Sequence, residues 1–87
     1  MRREPDFFGD HELVLVYIAK RLNEALKLES LLTEAGQDYL VEPDRYQGGF
    51  LFRSERVGAF FYVPEEMAQA ARHLLRDRGY RPLADEA

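Results

Sequence analysis

The sequence predicts an α+β domain with two helices on one face of a mostly antiparallel sheet. Three observations predict it. Two short runs, Leu13-Val14-Leu15-Val16-Tyr17-Ile18 and Gly58-Ala59-Phe60-Phe61-Tyr62-Val63, are apolar at consecutive positions, as strands covered on both faces are. Each run is followed by a segment whose apolar residues recur at helical spacing. A glycine stands just past the end of each segment, Gly36 and Gly79, where a left-handed residue closes a helix.

Taken in order, residues 1–11 carry Pro5, Gly9 and several charges and are expected to form a flexible arm. Phe7-Phe8 is its exception, a pair that a solvated tail has no need of, so folding back onto the domain stands beside disorder as an alternative. The first strand spans 12–19. Strict alternation places Leu13, Leu15 and Tyr17 on one face and Val14, Val16 and Ile18 on the other. A helix over 22–35 follows, with Leu22, Ala25, Leu28, Leu32 and Ala35 on its apolar stripe and Leu31 beside it. Its last turn ends at Gly36.

A second strand is expected over 38–42, ended or bent by Pro43-Asp44. A long structureless loop is improbable in so small a domain. The apolar triplet Phe50-Leu51-Phe52 therefore suggests a short extra strand over 49–53, with 54–57 as a turn. The strand over 58–63 leads to Pro64 in the first turn of a second helix, with Glu65-Glu66 at the positive end of its dipole. That helix runs to about residue 78. Met67, Ala70, Ala71, Leu74 and Leu75 form its predicted buried stripe, and Arg72, Arg76 and Arg78 its wet side near the negative end. Residues 80–83 suggest an edge strand that tolerates Pro82, and 84–87 a fraying tail. The order is β-α-β-(β)-β-α-(β), a ferredoxin-like sandwich over 12–83 whose central pair is the first strand and the 58–63 strand.

The totals bound the function. The chain has 87 residues, 46% hydrophobic, 13% aromatic and 32% charged, a globular composition for one domain. A net charge of −4 argues against broad nucleic-acid binding and against electrostatic attachment to an anionic membrane. With no cysteine, thiolate catalysis, disulfides and cysteine-based zinc sites are excluded. The apolar run at 13–19 is too short to span a bilayer, and no signal-peptide core precedes Gly9-Asp10, so a cytoplasmic setting is expected.

Leu15-Val16-Tyr17, Glu24-Ala25 with the Leu28-to-Gly36 helix end, Tyr39-Leu40-Val41 and Tyr62-Val63-Pro64-Glu65-Glu66-Met67-Ala68-Gln69-Ala70 together resemble a small prokaryotic signal-transducing domain family. The resemblance covers about residues 12–75. It implies a PII-like, ferredoxin-related fold and a regulatory role, and carries over no catalytic residue. The Pro43-to-Gly58 section, rich in arginine and aromatic residues, and the Phe7-Phe8 arm depart from the family pattern.

No catalytic set emerges from the residues, and no cofactor or metal is expected. His11 and His73 lack convergent ligand partners in the sequence and read as surface histidines. Glu42, Asp44 and Glu55 alternate with arginines, which favours surface ion pairing over acid-base chemistry. Ser30, Thr33 and Ser54 lack a base partner. The candidate ligand site is Arg45, Tyr46, Gly48, Gly49, Arg53 and Arg56. There arginines and glycine-freed N–H groups can hold a phosphate or carboxylate while Tyr46 stacks on a ring. A charged hairpin tip is the competing reading. Because two helices shield only one face of a two-sided apolar sheet, a homodimer through the other face is the expected partnership; the arm or the Phe50–Phe52 segment are alternative covers. The expected function is a regulatory or interaction domain, and the alternative a sensor of a nucleotide or other anionic metabolite.

Overall fold

The apolar run at 58–63 lies within the longest of the described strands, with which the other two pair. A computed structural model describes residues 1–48 and 54–83. In chain order it contains a 3-10 turn (Pro5–Phe8), β1 (Leu13–Ala19), α1 (Leu22–Glu34), β2 (Leu40–Gly48), β3 (Ser54–Pro64), a second 3-10 turn (Glu65–Met67) and α2 (Ala68–Asp77). The three strands form one sheet in the order β1-β3-β2, and β3 is antiparallel to both neighbours. β1 and β2 are therefore parallel to each other on either side of β3, and α1 carries the chain between them. The architecture is α+β, as predicted.

The expected pairing of the first strand with the 58–63 strand is present, with β3 in the middle and β1 at one side among the described strands. On the outer side of β1, residues 80–83 contribute one bond, Leu83 N–H to the Val16 carbonyl at 2.8 Å. They form no strand. Pro82 has no N–H to add to a ladder.

The middle of the chain differs from its prediction as well. β2 does not stop near Glu42 but continues through Pro43 to Gly48, and residues 54–57 are strand instead of turn. The two strands pair from Leu40↔Tyr62 to Gly48↔Ser54 as one long hairpin. A proline is tolerated there because β2 is an outer strand of the sheet among the described residues. The expected extra strand at 49–53 lies outside the described residues.

Both helix ends are set by glycine. After α1, Gln37 N–H reaches the Leu32 carbonyl and Gly36 N–H the Thr33 carbonyl, with Gly36 at φ 74°. After α2, Tyr80 N–H reaches Leu75 and Gly79 N–H reaches Arg76, with Gly79 at φ 86°. These paired bonds satisfy carbonyls that a helix end otherwise leaves open.

The buried stripes shift from those predicted. In α1 the buried residues are Ala25, Leu28, Leu31 and Leu32, whereas Leu22 and Ala35 are exposed. Leu22 stands at the helix start and lines a groove with the small residues Ala19 and Ala59. In α2 the buried residues are Ala68, Ala71, Arg72 and Leu75, and Met67 and Ala70 are exposed. The 3-10 turn at Glu65–Met67 winds three residues per turn, which turns the following helix relative to a continuous α pattern. Arg72 lies inward, contrary to its predicted wet position. Only 3% of it is exposed, its Nε donates to the Leu83 carbonyl at 2.9 Å, and its Nη2 has no hydrogen-bond partner among the described residues. Arg76 and Arg78 are exposed as expected.

Residues opposed across a sheet share a face. Val14↔Val63, Tyr17↔Phe61 and Ala19↔Ala59 face the helices and join one core with Leu28, Leu32, Ala71 and Leu75. Leu13↔Pro64, Leu15↔Tyr62 and Ile18↔Phe60 face the other way. The predicted alternation breaks at Val16, where the β1–β3 register shifts between Leu15 and Tyr17. One extra residue on one strand reverses the facing of all that follow. Tyr17 is thereby moved to the helix face and Ile18 to the opposite one.

The first residues lie against the domain. Arg3 N–H donates to the Tyr39 carbonyl, Tyr39 N–H to the Met1 carbonyl, and the amino terminus to the Gln37 carbonyl. Arg3 Nε meets Asp38 at 2.8 Å, and its guanidinium lies 4.3 Å from the Phe7 ring centre. Phe8 is buried and Phe7 exposed. The arm thus runs from the edge of β2 to the start of β1, where Glu65 N–H donates to the Glu12 carbonyl.

Candidate functional site

The hairpin divides the predicted ligand residues between two faces. Arg45 opposes Val57 and turns to the helix side, where its Nη1 meets Glu55 at 3.4 Å. Both members are largely exposed, so solvent screens the pair and it adds little stability. Tyr46 opposes Arg56 on the other face. The Lys20 ammonium lies 5.6 Å from the Tyr46 ring centre, so an aromatic ring, Lys20 and Arg56 gather at this end of the sheet. Gly48 pairs with Ser54 at the last described rung. Gly49 and Arg53 lie outside the described residues. Among the described positions, Arg45 and Tyr46 point to opposite faces, because adjacent residues on a strand do so.

Of the predicted carboxylates, Glu55 is the ion-pair partner of Arg45, whereas Glu42 and Asp44 oppose Phe60 and Gly58. His11 lies 2.8 Å from Glu66, a pair that ties the arm to the turn before α2. The sequence neighbours Asp10 and Glu12 gave no hint of that partner, since the contact spans the whole fold.

The face turned from the helices carries Leu13, Leu15, Ile18, Leu40, Phe60 and Tyr62. Leu40 and Phe60 are buried and the other four half-buried. None of the six belongs to the core that the helices cover. Burial raises the phenol pKa of Tyr62, helped by the charges of Asp44 and Glu42. On the helix face, burial first and then Glu24 push Tyr17 up to about 12; its hydroxyl donates to Glu24 Oε2 at 3.2 Å. Burial likewise raises Tyr39, whose hydroxyl donates to the Glu29 carbonyl at 3.1 Å.

These shifts have one sign. A phenol held neutral in the folded state binds its proton longer than it does unfolded, so its contribution is whole below pH 10 and drains as pH climbs. For Tyr17 the loss is expected between pH 10, the ordinary tyrosine value, and about pH 12. Urea melts across that range are expected to show falling stability, with a shallower fall in Tyr17→Phe. Equal slopes for the two proteins would remove Tyr17 as a cause.

A groove beside α1 was not anticipated, because its parts are distant in sequence. Ala19, Ala25, Gly58 and Ala59 are among its lining, and Leu22 and Val57 stand at its sides. The only local signal was a cluster of small residues near exposed aliphatic ones, and small residues occur in any tight helix-sheet contact. Comparison of the chain with protein-family models, with curated proteins and with solved structures finds no match.

Proposed function

We propose that this protein is a small cytoplasmic interaction domain, regulatory in role, that pairs with a second copy of itself through the sheet face turned from its helices. The observation that carries the reading is the apolar and aromatic face excluded from the helix-covered core, where Leu40 and Phe60 are buried in the single chain and Leu13, Leu15, Ile18 and Tyr62 remain partly open to solvent. A contiguous patch of that kind favours a partner over water. A twofold pairing lets the same face serve both copies.

A ferredoxin-like architecture belongs to the same proposal. It is supported by the strand order β1-β3-β2 and by Leu83, which bonds to the outer side of β1 where a fourth strand would add. The resemblance to the signal-transducing family supports the regulatory part. Light scattering from low to high micromolar concentration tests the pairing. A dimer is expected, and Leu15→Lys or Ile18→Lys is expected to give a monomer with unchanged far-UV circular dichroism. A wild-type protein that stays monomeric at high micromolar concentration defeats the reading.

A second reading, a PII-like sensor of a nucleotide or other anionic metabolite, is favoured by the shared placement of Tyr46, Arg56 and Lys20. A ring for stacking beside two cations suits such a ligand. A concentration-dependent rise in melting temperature with nucleotides discriminates this reading from the first.

A further inference from the structure

The geometry points to a second docking surface, the groove beside the start of α1, whose occupant is an acidic amphipathic segment of a partner protein. This deepens the interaction-domain reading and rests on it. The groove has a volume of about 380 Å³, large enough for bulky side chains. Its floor is made of small residues, Ala19, Ala25 and Ala59, so the backbone of β1, α1 and β3 approaches closely and leaves the space above them open. Leu22, Pro43 and Val57 stand around it. Leu22 is 77% exposed and Val57 65%, the two highest values among the exposed large hydrophobic residues described.

The charges select the partner. Arg2, Lys20, Arg21 and Glu29 line the groove, and Arg2 is spent on Glu29 at 3.7 Å. Lys20 and Arg21 have no ion pair among the described residues, and of the two the Lys20 ammonium is already 5.6 Å from the Tyr46 ring centre, which leaves Arg21 as the principal cation of the groove. One end of the groove is thus locally positive on a chain whose net charge is −4. A partner segment that buries a large apolar side chain between Leu22 and Val57 and sets carboxylates against Lys20 and Arg21 satisfies both features. Complementary charge of this kind orients the segment and selects against basic competitors. A neutral apolar segment leaves the cations unanswered, and a second copy of this chain is the occupant that the oligomeric state of Leu22→Glu tests.

Fluorescence anisotropy on the full chain tests the assignment. The probes are fluorescein-labelled, end-blocked peptides carrying leucine and phenylalanine anchors among glutamates, in one helical and one alternating pattern. Two control sets replace every glutamate by lysine or every anchor by serine. At least one acidic, anchored peptide is expected to bind at least about tenfold more tightly than its counterparts, a difference of one decade in Kd. Leu22→Glu and Arg21→Glu, both at exposed positions, are expected to weaken that peptide about tenfold or more while circular dichroism stays unchanged. Equal binding of the sets, no binding by any of them, or affinity unaffected by both substitutions overturns the proposal. A change in oligomeric state caused by Leu22→Glu also overturns it, by making the groove a contact between copies. A wild-type protein that forms the sheet-mediated dimer and binds none of the peptides sinks the groove alone. A monomer that still binds peptide sinks the sheet pairing alone.

Discussion

Replacing Phe61 with alanine is expected to destabilise the protein by about 3–5 kcal/mol, the usual cost of emptying a phenylalanine site in a packed core. Phe61 is fully buried on the central strand, opposed by Tyr17 on β1 and Val41 on β2. Its ring stacks on Tyr39 with centres 5.9 Å apart and planes inclined by 29°. The neighbours that would have to collapse into the gap are themselves held: Tyr39 by hydrogen bonds to Glu29 and Thr33, Tyr17 by its bond to Glu24. A constrained wall leaves a cavity, so the upper part of the range applies. Small domains are stable by about 5–15 kcal/mol, so the variant is expected to fall to the edge of folding. Its melting temperature should drop by about 15–30 °C, at several degrees per kcal/mol. Tyr39→Phe is the matched control, since it keeps the stacked ring and loses one hydroxyl; about 1 kcal/mol is expected. If the two variants melt alike, the stacked pair is not the centre of the core.

Gly58→Val is expected to rank second, with a loss of about 2–3 kcal/mol from overpacking. A Cβ at this position would lie 2.9 Å from Ile18 Cγ2, 3.0 Å from Tyr46 Cε1 and 3.1 Å from the Ala19 carbonyl oxygen. The first two belong to side chains and can give way. The third is backbone of a paired strand and cannot move without disturbing the β1–β3 ladder. Glycine is needed here for room and not for an unusual backbone angle. For Gly58→Ala the clash is opposed by about 0.4–1 kcal/mol gained from a less flexible unfolded chain, so a smaller net loss is expected. Valine adds two methyl groups to the same crowded space and makes the steric term decisive. Denaturant melts of the two variants check the order. An alanine variant worse than the valine one would show that crowding is not the cause. Gly58→Val should also move Tyr46 off Ile18, which a nucleotide titration would register if the sensor reading held.

The parts legible in the sequence are those decided within a few residues. The consecutive apolar residues of β1 and β3, the helical spacing of Ala25, Leu28 and Leu32, and the glycines past both helices each act through local geometry. The phase of α2 was not legible, because Arg72 is buried where its Nε donates to the Leu83 carbonyl, a contact with a segment eleven residues on that no local spacing announces. The facing of Tyr17 and Ile18 was hidden for a similar reason: a single unpaired residue in a ladder leaves no mark in the hydrophobic pattern when both neighbours are apolar. The length of the hairpin was masked by Pro43, which reads as a stop unless the strand is known to lie at an edge.

The candidate sites divide along the same line. Local pattern was enough to find the arginine and aromatic content of the hairpin and the doubled apolar character of the sheet, since both are properties of contiguous residues. Pairing across β3 alone decided that Arg45 and Arg56 face opposite sides and that Leu15, Ile18 and Phe60 share one. It likewise brought Leu22 and Val57, 35 positions apart in the chain, to the sides of one groove. The physical reason is that backbone preference and periodicity act over a turn or two, whereas register, bulges and helix phase settle only when distant segments are packed together.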